Sequence, residues 1–264
     1  MGEQPFLVLR GRAVQALPVA LFAVAVLLAW ETYVALSEVR PQVLPAPSRV
    51  LREGWAFRGL IWQNTLPTLR ETVLGFTLAV ALGTACAVAM DFSRAARRAL
   101  YPALVASQAI PIIAIAPLLV VWFGFGLTPK VLVVALVTFF PVTVGWVDGF
   151  ASTERAAANL LRSMGASRWQ VFRLVRLPGA LPYFFSGLRI AITYAVVAAI
   201  FAEYVGAKEG LGIFMQLQQN SFRTDLVIAA VVVTAAISIA LFLATYVVQR
   251  IAIPWHAATR QRGD

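Results

Sequence analysis

Long apolar stretches alternate with short, arginine-rich polar intervals along the 264-residue chain. Four stretches carry no charged residue for 18 residues or more: 13–30, 72–90, 99–129 and 226–249. Two further stretches, 131–147 and 177–201, are apolar apart from Arg189. Because a helix needs about 20 apolar residues to cross a bilayer, the pattern predicts an all-α integral membrane protein with six transmembrane helices.

The first apolar stretch admits two interpretations. Residues 13–36 fit a retained membrane span, and they also fit a signal peptide preceded by Arg10 and Arg12. The stretch is longer than a usual signal core and no small-residue cleavage site follows it, which favours the span. We therefore expect one domain over 1–264, with an N-terminal span at 1–36 and a five-span core at 65–250.

The third stretch is too long for one straight span and contains Pro102, Pro111 and Pro117. We expect a single kinked span over roughly 100–122. Irregular backbone at membrane depth often lines a transport path, and a simple packing kink is an equal alternative.

The polar segment 40–64 contains the sequence PAPSRV. We expect it to form a helix at the membrane interface, with Ser48 as the N-cap after Pro47 and with the second span starting near Thr65.

Composition and charge fit a membrane protein. The chain is 60% apolar and 13% charged, with a net charge of +10. The basic residues sit mainly in short loops, so their number reflects membrane orientation and we expect no nucleic-acid partner. In the six-span arrangement 13 Lys and Arg residues lie in the internal segments and 8 in the external ones. This bias predicts that both termini are cytoplasmic.

The sequence offers no catalytic or metal centre. One cysteine, Cys86, and one histidine, His256, cannot form a disulfide or a His/Cys metal site. The stretch GFGLTPK at 124–130 lacks the Gly-Lys-Ser/Thr of a phosphate-binding loop. The sole histidine is remote in sequence from the serines of the apolar stretches, which argues against a Ser–His catalytic site. We expect no enzymatic activity, no ATP hydrolysis and no cofactor on this chain.

The longest polar interval between two apolar segments is 153–178, with five arginines and one acid, Glu154. Good helix formers over 156–164 precede Gly165, which suits the left-handed position that ends a helix. We predict a second short helix over about 168–176, followed by Pro178 in the first turn of the next helix. Two short helices around a glycine are typical of a docking element.

This interval resembles the cytoplasmic "EAA" loop of ABC-importer permease subunits. Val175, Leu177 and Pro178 follow Gly165 at offsets of 10, 12 and 13, as in that loop. Where the family has Glu-Ala-Ala, this chain has Asn-Leu-Leu at 159–161. The wider stretch 45–255 is similar to the branch that imports sulfonates, nitrate, taurine or thiamine-precursor pyrimidines, and RSMGASRWQ leans toward the pyrimidine members.

The resemblance implies a type I ABC-importer permease in the inner membrane of a prokaryote. Its implied partners are a second copy, two cytoplasmic ATPase subunits that bind ATP and Mg²⁺, and an external solute-binding protein. The loop would insert into a groove on the ATPase, with Trp169 and Phe172 facing that groove or its rim. The implied coupling residues are Asn159, Arg162, Ser163, Gly165, Ala166, Ser167, Trp169, Phe172 and Pro178.

Polar residues within the apolar stretches are the candidates for the substrate path. These are Gln108, Thr138, Thr193 and Tyr194, together with Glu203 just after the stretch 177–201. A lone polar residue in a helical bundle also serves simply to hold helices together. Glu203 is the candidate for gating, and Arg189 is expected to pair with Asp148 or to reach toward the interface.

A different class of function stays open on the residues alone. A stand-alone ion-coupled carrier or channel would work without an ATPase and would need an acid at membrane depth. The Gly165-to-Pro178 spacing argues for the ABC permease.

Overall fold

The structure is a computed structural model that describes residues 4–255. The predicted internal tail, with His256, Arg260 and Arg262, lies outside the described residues. Every regular element in the described part is helical, which confirms the all-α prediction. The helices are α1 (Gln4–Leu36), α2 (Pro47–Ala56), α3 (Arg58–Phe92), α4 (Arg94–Ser107), α5 (Ile112–Phe123), α6 (Leu127–Ser152), α7 (Arg155–Ser163), α8 (Arg168–Val171), α9 (Leu177–Tyr204), α10 (Leu211–Asn220) and α11 (Thr224–Ala252).

Four helical segments of the described chain are long and apolar enough to cross a membrane. They are Arg58–Phe92, Leu127–Ser152, Arg168–Tyr204 and Thr224–Ala252. Two shorter apolar helical segments, Ala20–Leu36 and Ala114–Phe123, lie where the first and third spans are expected.

The single kinked span predicted over 100–122 is wrong. α4 ends at Ser107, and α5 begins only at Ile112. Pro111 between them has an extended backbone (φ −68°, ψ 113°). Proline lacks an N–H and disfavours helical geometry in the residue before it, so the chain leaves the helix instead of bending within it.

The predicted cap of α2 is also wrong. Ala46 is the N-cap, and Pro47 takes the first helical position, which its missing N–H suits. Ser48 lies inside the helix, where its N–H and hydroxyl donate to the Glu31 carboxylate at 3.0 and 2.6 Å. The next helix starts at Arg58, earlier than expected.

The chain forms two compact units. The first comprises 1–61 and 215–231. Within it, Asp225 is buried and accepts bonds from Arg49 at 3.1 Å and Arg223 at 3.0 Å, while Arg223 also reaches Glu53 at 2.9 Å.

The second unit comprises 62–214 and 232–264. Its centre is the packing of α6 against α9, which small residues allow to come very close. A Cβ on Gly145 would lie 3.0 Å from the Tyr183 carbonyl, and one on Gly149 would lie 2.8 Å from Ala180. Such close contact of small residues is typical of helix pairs in membranes. This pair carries the 153–178 loop at one end and a polar cluster toward the other.

Candidate functional sites

The first helix of the 153–178 loop ends as the sequence predicts. Gly165 has φ +86°, in the left-handed region that favours glycine. The Ala166 N–H donates to the Leu161 carbonyl and the Gly165 N–H to the Arg162 carbonyl, both at 3.0 Å. These two bonds form a Schellman motif, which fixes the direction in which the chain leaves α7.

A capping box starts the second helix. The Gln170 N–H donates to the Ser167 hydroxyl at 3.3 Å, and the Ser167 N–H donates to the Gln170 side chain at 2.7 Å. The Ser-x-x-Gln pattern at 167–170 is the sequence signature of this motif, which the predicted start of the helix did not include.

The second helix does not stop before Pro178, which corrects the predicted boundary. α8, a π-helical turn at Phe172–Arg176 and α9 form one unbroken helix over Arg168–Tyr204. Pro178 and Pro182 have no N–H to donate to the carbonyls four residues earlier, and the wider π-helical turn takes up this mismatch. The loop's second helix is therefore a direct extension of a spanning helix.

The two aromatic side chains expected to face a partner, Trp169 and Phe172, differ in their exposure to solvent. Phe172 is buried, with its ring 5.1 Å from that of Phe92 and 5.6 Å from that of Phe150. The expectation that Phe172 faces an ATPase groove is therefore wrong, because this chain's own core covers its ring. Trp169 is exposed and is the aromatic group that the loop presents.

Further apolar side chains accompany Trp169 at the loop surface. Leu160, Met164 and Leu174 are all exposed, although the sequence analysis singled out none of them. Large exposed apolar groups beside arginines are typical of a protein contact surface.

A concave basic surface lies beside these groups. A cavity of about 510 Å³ is lined by Asp91, Phe92, Arg94, Arg162, Arg168, Val171 and Arg176. Arg176 is bonded to Asp91, which leaves three arginines to set the charge of the cavity. Of the other predicted coupling residues, Asn159, Ser163 and Ser167 are exposed, whereas Ala166 and Pro178 are half-buried.

Glu203, the candidate for gating, is fully buried at the end of α9. Its carboxylate accepts from the Thr68 hydroxyl at 2.5 Å and from the Gly212 N–H in the first turn of α10. The Leu211 N–H in turn donates to the Thr68 hydroxyl at 2.8 Å. Glu203 and Thr68 together cap α10 from two other helices, because the first N–H groups of a helix lack partners within it.

A buried ion pair lies next to Glu203. Lys130 of α6 donates to Glu71 of α3 at 2.6 Å, and both side chains are buried. The carboxyl group of Glu71 also faces that of Glu203. Nothing local in the sequence pairs Glu71 with Lys130, because the two residues lie 59 positions apart.

The remaining path candidates are not brought together within this chain. Gln108 lines an open groove of about 640 Å³. Thr138 is buried and bonded to the Val134 carbonyl of its own helix at 2.7 Å. Thr193 and Tyr194 lie on the exposed face of α9.

Arg189, on the same helix, does not bond to Asp148. It donates to Gln249 at 2.8 Å and to Ser186 at 3.1 Å.

Comparisons with known proteins show the family and the fold of this chain. Residues 79–255 match the family described as binding-protein-dependent transport system inner membrane component. The formylaminopyrimidine transport permease protein ThiX of Halalkalibacterium halodurans is 37% identical, covering 92% of this chain and 98% of its own length. The riboflavin transport system permease protein RibX of Chloroflexus aurantiacus is also 37% identical, covering 92% of this chain and 90% of its own.

A solved structure shares the fold. A chain of the inward-facing MetNI methionine ABC transporter superposes with a TM-score of 0.65 at 18% identity, covering 74% of this chain and 97% of that chain.

Proposed function

This chain belongs to the family of binding-protein-dependent transport system inner membrane components, as an ABC-importer permease subunit, and we propose that its solute is a small nitrogen heterocycle of the formylaminopyrimidine kind. Two relatives named for heteroaromatic solutes, each 37% identical, support this choice. A sulfonate such as taurine, or nitrate, is the alternative that the sequence resemblance leaves.

The working assembly in this proposal contains two copies of the chain, two ATPase subunits and an external binding protein. The 153–178 loop lies on the cytoplasmic side and docks on the ATPase, and both termini are cytoplasmic. ATP and Mg²⁺ are bound by the ATPase subunits. The exposed Trp169, Leu160 and Met164 and the basic cavity beside them supply an apolar and positively charged contact surface for such a partner.

The observation that carries the proposed coupling of the loop to the ATPase is the unbroken helix over Arg168–Tyr204. A movement of the ATPase applied at α8 reaches the spanning part of α9 without an intervening hinge loop. Coupling requires that the two states of the transporter differ in contact energy and that the loop transmits the difference. The Schellman turn at Gly165 joins α7 to the α8 end of the same helix.

The exposed face of α9 is the proposed solute contact. Tyr183, Tyr194 and Phe201 are exposed at offsets of 11 and 7, so they lie along one stripe of the helix. Thr193 adds a hydroxyl group beside them. Aromatic rings stack on a planar heterocycle, and a hydroxyl group bonds to its ring nitrogens.

Uptake by the reconstituted complex tests the proposal. Proteoliposomes would contain this chain with the ATPase that co-purifies with it and with its binding protein, and would receive labelled formylaminopyrimidine, riboflavin or taurine. We expect ATP-dependent uptake of the pyrimidine that exceeds uptake of taurine. Preferential uptake of taurine would overturn the solute class while leaving the permease assignment intact.

The stand-alone carrier is the hypothesis that this experiment also tests. The buried acids Glu71 and Glu203 are the kind of group that such a carrier needs, yet both are engaged in structural bonds. Solute uptake that persists without ATP or the ATPase would favour the carrier.

A further inference from the structure

Two acids and one base are buried together where α3, α6 and α9 meet. Glu71 is 2% exposed, Glu203 0% and Lys130 8%. With all three ionised, the group would carry one uncompensated negative charge away from water. Such a charge costs several kcal/mol, and proteins avoid it by pairing the charge or by binding a proton.

Lys130 is the one cation in the described part of the chain that forms an ion pair with either carboxyl group. Arg70 and Lys208 line the cavity beside Glu71, but both are exposed to solvent and neither forms an ion pair with Glu71 or Glu203. Glu209 adds a like charge toward Glu71, and Tyr204 lies beside Glu203. The surroundings thus raise the cost of a second carboxylate.

The two carboxyl groups differ in how many of their oxygens accept a hydrogen bond. Both oxygens of Glu203 accept bonds, from Thr68 and from the Gly212 N–H. Glu71 accepts from Lys130 through Oε1 only, and its Oε2 is buried with no hydrogen-bond partner among the described residues. A buried carboxylate oxygen without a donor is rare in native proteins. The same oxygen becomes a donor when it is protonated.

We propose that this cluster binds one proton, carried on Oε2 of Glu71 and donated to the carboxylate of Glu203. The proton makes the cluster neutral and gives the orphaned oxygen a partner. Because Glu203 also caps the first turn of α10, the bound proton holds the ends of α9 and α10 against α3. Loss of the proton places two carboxylates face to face and weakens this junction.

Infrared spectroscopy of the full chain in its ATPase complex tests the proposal directly. We expect wild type at neutral pH to show a protonated carboxyl C=O band that shifts in D₂O. The band is lost in Glu71→Gln and in Glu203→Gln, because either change leaves one carboxylate to pair with Lys130. Asp148→Asn is the matched control, since Asp148 is an exposed acid of α6 18 positions after Lys130 and takes no part in the cluster, and it keeps the band. Identical carboxyl spectra in wild type and Glu203→Gln would overturn the proposal.

The pH dependence of stability gives a second and independent readout. The folded chain would hold one proton that the unfolded chain releases at neutral pH, so the melting temperature of wild type falls as pH rises. Glu203→Gln mimics the protonated pair, because its amide donates to Glu71 and its oxygen accepts from Gly212. We expect this variant to fold and to show a flatter pH profile than Asp148→Asn. Equal slopes in the two variants would contradict the shared proton.

Discussion

The indole ring of Trp169 stacks on the ring of Phe172 with centroids 5.5 Å apart, yet Trp169 is 58% exposed while Phe172 is 5% exposed. One ring anchors the loop in this chain, and the other stands over it at the surface. The two residues therefore have separable roles, packing for Phe172 and surface contact for Trp169, although their spacing puts them on one face of the helix.

Trp169→Ala should reduce ATPase co-purification without lowering the amount of protein in the membrane. Exposed aromatic residues often carry much of the binding energy of an interface, and their loss typically costs 2 kcal/mol or more, roughly 30-fold in affinity. The measurement is pull-down of the ATPase at matched permease levels. Full retention of the ATPase would show that Trp169 lies outside the joint.

Phe172→Ala should act on folding instead. Removing a buried phenylalanine costs about 3–5 kcal/mol, because a cavity remains between Phe92 and Phe150. Membrane abundance and melting temperature should both fall, and Phe172→Leu should recover most of each. A normal melting temperature for Phe172→Ala would contradict the buried position.

The sequence predicted these sites unevenly, for physical reasons. Gly165 was predictable because a helix stop depends on residues within one turn of it. The burial of Phe172 was not, because it depends on Phe92 and Phe150, which other helices supply. The same holds for Glu203, whose partners Thr68 and Glu71 lie more than 130 positions earlier in the chain.

Gly165→Val should uncouple ATP hydrolysis from transport. The positive φ of Gly165 costs a β-branched residue about 1–2 kcal/mol, and relief of that strain would redirect α8. No atom lies within 4 Å of a Cβ there, so the effect comes from the backbone and not from a clash. Gly165→Asn is the matched control, because asparagine tolerates the left-handed region. Solute-stimulated hydrolysis in proteoliposomes should fall in the valine variant only, and an equal fall in both would point away from backbone strain.

Cysteine labelling should place the 153–178 loop and α10 on opposite sides of the membrane. In a Cys86→Ala background, Ser163→Cys in the loop should react only from the cytoplasmic side, and Gln219→Cys in α10 only from outside. Both native side chains are exposed, so access is limited by the membrane alone. Reversed labelling would overturn the proposed orientation of the loop toward the ATPase.

Tyr194→Ala should lower solute uptake more than Tyr194→Phe. The phenylalanine variant keeps the ring that stacks on a heterocycle, whereas alanine removes about 1–3 kcal/mol of stacking, roughly 5- to 150-fold in apparent affinity. Ile239, an exposed apolar residue of α11 outside the proposed contact, supplies the control Ile239→Ala. Equal uptake by all three variants would place the solute path away from this face.

Gly210→Ala should disrupt the junction of α9 and α10 as strongly as loss of Glu203 itself. Gly210 has φ +129°, and a Cβ built on it would overlap the Glu203 carboxyl group. The methyl group would displace the carboxylate from the Gly212 N–H, leaving a buried acid and a buried donor both unsatisfied, a cost of about 1–3 kcal/mol for each. Gly59→Ala serves as the control, because a Cβ there meets no atom within 4 Å and lies in a helix that alanine favours. The melting temperature should fall in Gly210→Ala and hold or rise in Gly59→Ala. The double variant Gly210→Ala with Glu203→Ala should lose less stability than the two single variants lose together, because both changes remove the same bonds. Additive losses would mean that the tight approach of Gly210 serves something other than seating the Glu203 carboxylate.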